Sequence, residues 1–132
     1  MTNSLLITKY IRMILEQDKT LMKMIPIKQF FPIDAKLTTK FPFGVIMRTG
    51  MNDSLSKDGL YEDVVSIEII IVDDNYINSI EIANEVRNFL ENHSYRDDNI
   101  FIRQIRLSST AEGLENNAFV QYLQFNVYIH NV

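Results

Sequence analysis

Leu60-Tyr-Glu-Asp-Val-Val-Ser-Ile-Glu-Ile-Ile-Ile-Val72, then Asp73-Asp-Asn-Tyr-Ile-Asn78, then Ser79-Ile-Glu-Ile-Ala-Asn-Glu-Val-Arg-Asn-Phe-Leu90, is one continuous stretch that changes period in its middle. Its first part alternates by two. Val65, Ile67, Ile69 and Ile71 point one way, and Glu62, Ser66 and Glu68 the other. β-branched side chains suit such a half-buried, pleated surface. From Ser79 the spacing becomes helical, with Ile80, Ala83, Val86, Arg87 and Leu90 on one face and Asn78 or Ser79 as cap. A long strand thus feeds a helix across a short polar turn, and the chain on either side has to cover that unit.

Upstream, Ser4 to about Gln17 reads as a helix, and Asp18 caps a shorter one that Pro26 ends. The segment 29–40 is poorly patterned, and Pro32 argues against a central strand there. Phe43, Val45 and Met47 form the expected core face of a strand over 42–49. Polar, glycine-containing segments at 50–59 and 108–117 read as mobile loops. Downstream, 95–99 is a charged linker, and further strands are expected near 100–108 and 118–130. In the last strand Phe119, Leu123, Phe125, Val127 and Ile129 face the core, while Tyr122, Gln124, Asn126, Tyr128 and His130 face away.

The expected fold is therefore α+β: a four-stranded, mostly antiparallel sheet with helices on one face, in the order α-β-β-α-β-β. Val65, Ile67, Ile69, Val86, Leu90, Leu123, Phe125 and Val127 are its expected core. All 132 residues fit a single domain, and with 46% apolar and 23% charged residues a packed core is attainable.

Chemistry is hard to place on this chain. The absence of cysteine excludes disulfides, thiol catalysis and thiolate metal sites. His93 and His130 lack a second histidine at ligand spacing, and no glycine-rich phosphate loop or nucleophile elbow occurs. Asp73-Asp74 and Asp97-Asp98 read as turn and capping pairs instead of cation ligands. No catalytic residue, cofactor or metal is expected. A net charge of −4 gives no support to a phosphate-gripping nucleic-acid binder. The start lacks the pattern of a signal peptide, and the longest apolar run is too short for a membrane span.

What is left suits an interaction protein. Tyr122, Tyr128 and His130 supply contact area on the second sheet face. Glu62 and Glu68 are expected to meet Arg103 or Arg106 of a neighbouring copy.

The layout resembles the tail-completion (tail-terminator) proteins of long-tailed bacteriophages over nearly the whole chain. The resemblance is carried by the paired opening helices Leu5–Leu15 and Asp18–Ile25 and by Phe41-Pro42-Phe43-Gly44-Val45-Ile46. The hairpin to Val65–Val72, the helix with Ile82-Ala83-Asn84-Glu85-Val86, and Leu123-Gln124-Phe125-Asn126-Val127 continue it. It implies a virion structural protein forming a homo-oligomeric ring, usually of six subunits, on the head-proximal end of the tail. Such a ring stops tail-tube growth and joins the tail tube protein to the head-tail connector. DNA passes through without sequence-specific binding. The implied location is the virion, after assembly in the host cytoplasm. The alternative reading is a small regulatory or ligand-binding α+β module with a pocket between helices and sheet.

Overall fold

The computed structural model describes residues 3–36, 39–55 and 61–130. A single 3-10 turn, Ser4–Leu6, leads into α1 (Ile7–Glu16) and α2 (Lys19–Met24). Another 3-10 turn, Ile27–Gln29, opens β1 (Phe30–Pro32). Then come β2 (Phe43–Leu55), β3 (Tyr61–Asp73), α3 (Tyr76–Leu90), β4 (Tyr95–Arg96), β5 (Phe101–Glu115) and β6 (Ala118–His130).

The sheet has six strands in the order β1-β2-β3-β6-β5-β4, not the four expected. It is mixed and curled, because β1 runs parallel to β2 while every other pairing is antiparallel. The expected α-β-β-α-β-β order is therefore corrected. β1 and β4 have three and two residues, too few for an alternation to show, and each is an edge strand. Pro32 fits an edge, where its missing N–H costs nothing.

The two expected loops are corrected as well. β2 continues through Leu55 and pairs with β3 as far as Leu55–Tyr61; the rest of the first loop, 56–60, lies outside the described residues. β5 continues to Glu115 and turns into β6 through Asn116 and Asn117. Both asparagines have positive φ, 50° and 63°, the conformation that a two-residue hairpin needs and that asparagine tolerates. Polar composition there marks a solvent-exposed ladder, not an absence of one.

The helices cover one sheet face. Val65, Ile67, Ile69, Val86, Leu90, Phe125 and Val127 have no exposed surface and Leu123 has 4%, as expected of the core. Ile7, Ile11, Ile14, Leu15 and Leu21 close the layer from α1 and α2. Side chains fill most of the helix–sheet interface, and an open groove of about 450 Å³ remains at its edge, between Thr8, Lys9 and Arg12 of α1 and Phe30, Phe31, Pro32 and Ile46 of the sheet. Asp18 caps α2 as read, accepting from Thr20 N and Leu21 N at 3.1 and 3.3 Å. α3 begins three residues earlier than expected, capped by Asn75, whose side chain accepts from Asn78 N at 2.8 Å. Its buried face is Ser79, Ile82, Ala83, Val86 and Leu90, while Ile80 stays 37% exposed.

The expected face of β2 is reversed. Ile46 pairs with Ile69 and points to the helices, so Phe43, Val45 and Met47 lie on the opposite face with Ile70 and Val72. Gly44 is required on the helix side, where the Phe30 ring occupies the space of a Cβ.

Candidate interaction surface

The sheet face turned away from the helices has three zones. At the end where β3 begins and β6 finishes, Glu62 pairs with His130 and Phe101 pairs with His130 in register. One β-bulge separates the Ile102 and Gln104 pairings, leaving Arg103 as the extra residue and re-aiming its side chain across the sheet. The Arg103 guanidinium donates to both Glu62 oxygens, at 2.7 Å from Nε and 3.1 Å from Nη2. His130 Nε2 lies 2.5 Å from Glu62 Oε2. The guanidinium also sits 5.1 Å from the Tyr128 ring centre, and Phe101 meets His130 edge-on at 5.4 Å. Hydrogen bonding from Arg103 lowers the Glu62 pKa against the opposing effect of burial, helped by the charges of Arg103 and His130. The same bond raises that of Arg103.

The middle zone is polar and locally paired. Ser66 Oγ donates to Asn126 Oδ1 at 3.1 Å, and Gln124 Nε2 donates to Thr49 Oγ1 at 2.8 Å. The Tyr122 hydroxyl donates to Glu115 at 2.6 Å. That bond to a carboxylate, with burial and the charges of Glu115 and Glu68, pushes its pKa up to about 12. Glu68 lines a shallow depression with Ser109, Thr110, Ala111, Tyr122 and Gln124.

The third zone, at the far end, is apolar. Phe41, Phe43, Val45, Ile70, Val72, Ala118, Val120 and Tyr122 form the floor of an open pocket of about 260 Å³, with a polar border at 33–36, Thr39, Glu115 and Asn116. Phe41 and Phe43 stack there at 5.9 Å.

Of the seven residues read as interface, Glu62, Arg103, His130 and Tyr128 meet in one cluster. The pairing of Glu62 with Arg103, expected between copies, forms within a single chain. Tyr122 and Glu68 lie further along the same face. Arg106 is exposed on β5 and has no ion pair or hydrogen bond among the described residues. The aspartate pairs act in turns: Asp97 accepts from Asn99 N and Ile100 N at 2.7 and 2.8 Å, and Asp73 accepts from Asp74 N at 2.8 Å and from the Asn78 side chain. Sequence reasoning missed the apolar pocket, although its signal is in the chain. Ile69 to Val72 is apolar at every position, and an unbroken run marks a strand covered on both faces.

No helix among the described residues is long and apolar enough to cross a membrane. No family model matches the chain, and no curated protein matches it. Among solved structures, a chain from the virion of a native gene transfer agent (GTA) particle has a similar fold, with a TM-score of 0.79 over 92% of this chain and 92% of that one, at 10% sequence identity.

Proposed function

We propose that this chain is a virion structural protein, and more closely a tail terminator. Identical subunits close into a ring of six on the head-proximal end of a tail tube, halt its growth and present a docking surface to the head connector. The observation that carries this reading is the fold likeness to a chain of a gene transfer agent virion over nearly the full length of both. The sequence segments that resemble tail-completion proteins, among them the paired opening helices and Phe41-Pro42-Phe43-Gly44-Val45-Ile46, agree with it. The face bearing Glu62, Glu68, Arg103, Arg106, Tyr122, Tyr128 and His130 is the surface that meets other virion proteins. Amphipathic tyrosines and a prearranged charge cluster suit subunits that are soluble before they dock.

Mixing the protein with purified growing tail tubes tests the reading. Tubes should stop lengthening and carry one ring at one end. Tubes that keep elongating with bare ends would remove it. Tyr128→Ala and Tyr122→Ala subunits that fold but cap poorly would assign the contact to this face.

A further inference from the structure

The sheet leaves two long edge segments without a neighbouring strand. β1 covers β2 only over Gly44–Ile46, and β4 covers β5 only at Phe101 and Ile102. The turn after α3 occupies the next residues of β5, with Asn92 N–H donating to the Ile105 carbonyl and Leu107 N–H donating to Glu91 Oε2, each at 2.8 Å. Among the described residues, no strand pairs with the outer side of β2 over 47–55 or of β5 over 108–115. Such edges are templates for another strand, and proteins that stay solitary blunt them with proline, lysine or a covering element. Each segment carries one bulge near its start, at Thr49 and at Ser108, but neither contains a proline or a lysine. Exposed apolar side chains flank both. Met51 of β2 and Leu5 beside it are 43% and 63% exposed, and Leu114 of β5 and Tyr76 beside it are 64% and 39% exposed. Arg48 ties Leu5 to β2 and Glu112 ties Tyr76 to β5.

We propose that the open edge of β5 in one copy pairs antiparallel with the open edge of β2 in the next, so that the subunit sheets run on as one sheet around a ring. This deepens the ring reading above and rests on it. The direction follows from topology. The four long strands alternate along β2-β3-β6-β5, so β2 and β5 run oppositely, and copies related by one rotation axis bring them together antiparallel. A second copy is the occupant because each chain carries both edges, one on each side of its sheet. Heterologous pairing of like copies leaves no edge open once the ring closes, whereas a foreign strand satisfies only one.

The open segments lie at opposite ends of the sheet. That of β2 runs beside the first half of β3, and that of β5 beside the first half of β6. Pairing them needs a stagger. A barrel tilt of ~35–45°, across four strands ~4.8 Å apart with a rise of ~3.3 Å per residue, supplies about four to six residues per copy. With that offset Met51 lies opposite Thr110 or Glu112 on the same face.

The cysteine-free chain gives a silent background for crosslinking. Three double variants suffice: Met51→Cys with Thr110→Cys, Met51→Cys with Glu112→Cys, and, as control, Met51→Cys with Asn88→Cys on the exposed side of α3. Each is oxidised with and without tail tubes, after circular dichroism has shown an unchanged fold. At least one edge pair should yield a ladder of covalent multimers ending at the ring's copy number, and the control should stay monomeric, because a disulfide requires Cα atoms within about 7 Å. Rings or caps that assemble without edge-specific links overturn the proposal, as does equal linking in the control or no self-association under either condition. Linked rings that leave tube growth untouched uphold edge pairing and remove the tail-terminator reading. Capped tubes without edge links do the reverse.

Discussion

A Cβ placed on Gly44 would lie 2.5 Å from Phe30 Cδ1 and Cε1. Phe30 is 2% exposed and anchors the three-residue strand β1, so its ring has little room to move aside. Gly44→Ala is expected to destabilise the fold by about 1–3 kcal/mol through overpacking. Urea denaturation measures the loss, and Phe30→Leu in the same chain should restore part of it.

Glu62 gives the fold an acid-side dependence. Its folded pKa is lowered, chiefly by the Arg103 hydrogen bond, so its contribution is complete above the unfolded carboxylate value near ~4.3. The contribution is lost as pH falls through the lower folded value. Glu62→Gln should cost about 1 kcal/mol at neutral pH. The gap between variant and parent in urea midpoint should close in strong acid; a gap constant with pH would show that packing, not charge, is responsible.

Glu85 works in the opposite sense. A hydrogen bond that its protonated carboxyl would donate to Asp18, the buried cap of α2, raises the Glu85 pKa, together with burial and the like charge. A raised folded pKa stabilises below the unfolded value, and the contribution disappears as pH rises through the folded one. Asp18 Oδ2 is buried and has no hydrogen-bond partner among the described residues. Glu85→Gln supplies a neutral donor and should raise stability at neutral pH by about 1 kcal/mol or less. Thermal unfolding at neutral and acidic pH should show the gain shrinking in acid.

Asn117 holds φ at 63° in the β5–β6 turn. Asn117→Val forces a β-branched residue into the left-handed region and should cost about 1–2 kcal/mol. Asn117→Gly should be neutral or mildly stabilising, because glycine adopts that φ freely. Melting temperatures of the two variants should therefore move apart, with the valine variant below the parent.

Long alternation is legible from the amino-acid order alone. Val65 to Ile71 and Leu123 to Ile129 each name their own buried face, and those residues are the core. Turn chemistry at Asp18 and Asp97 is legible too. The misread parts share physical causes. Tyr95–Arg96 and Phe30–Pro32 are shorter than one detectable period. Ser108 to Glu115 is an exposed ladder whose polar residues resemble a loop. Phe43, Val45 and Met47 do form one face, but both faces of β2 are apolar near its start, so alternation alone does not decide which of them meets the helices. The Glu62–Arg103 contact depends on a bulge, which no one-residue pattern announces.

β6 is formed last in the chain among the six strands, yet it occupies the middle of the sheet, between β3 and β5. Synthesis therefore delivers two separate halves, with β2–β3 and α3 on one side and β4–β5 on the other, and no strand joins them until residues 118–130 are available. Most of the pairing is long-range, and such pairing forms slowly because loop closure precedes its reward. A nascent chain released before Ala118 would hold neither the joined sheet nor the Phe125 and Val127 plug that seals the helix layer. Both halves of the sheet thus wait for the same final strand: completion of the fold is timed by the last residues translated.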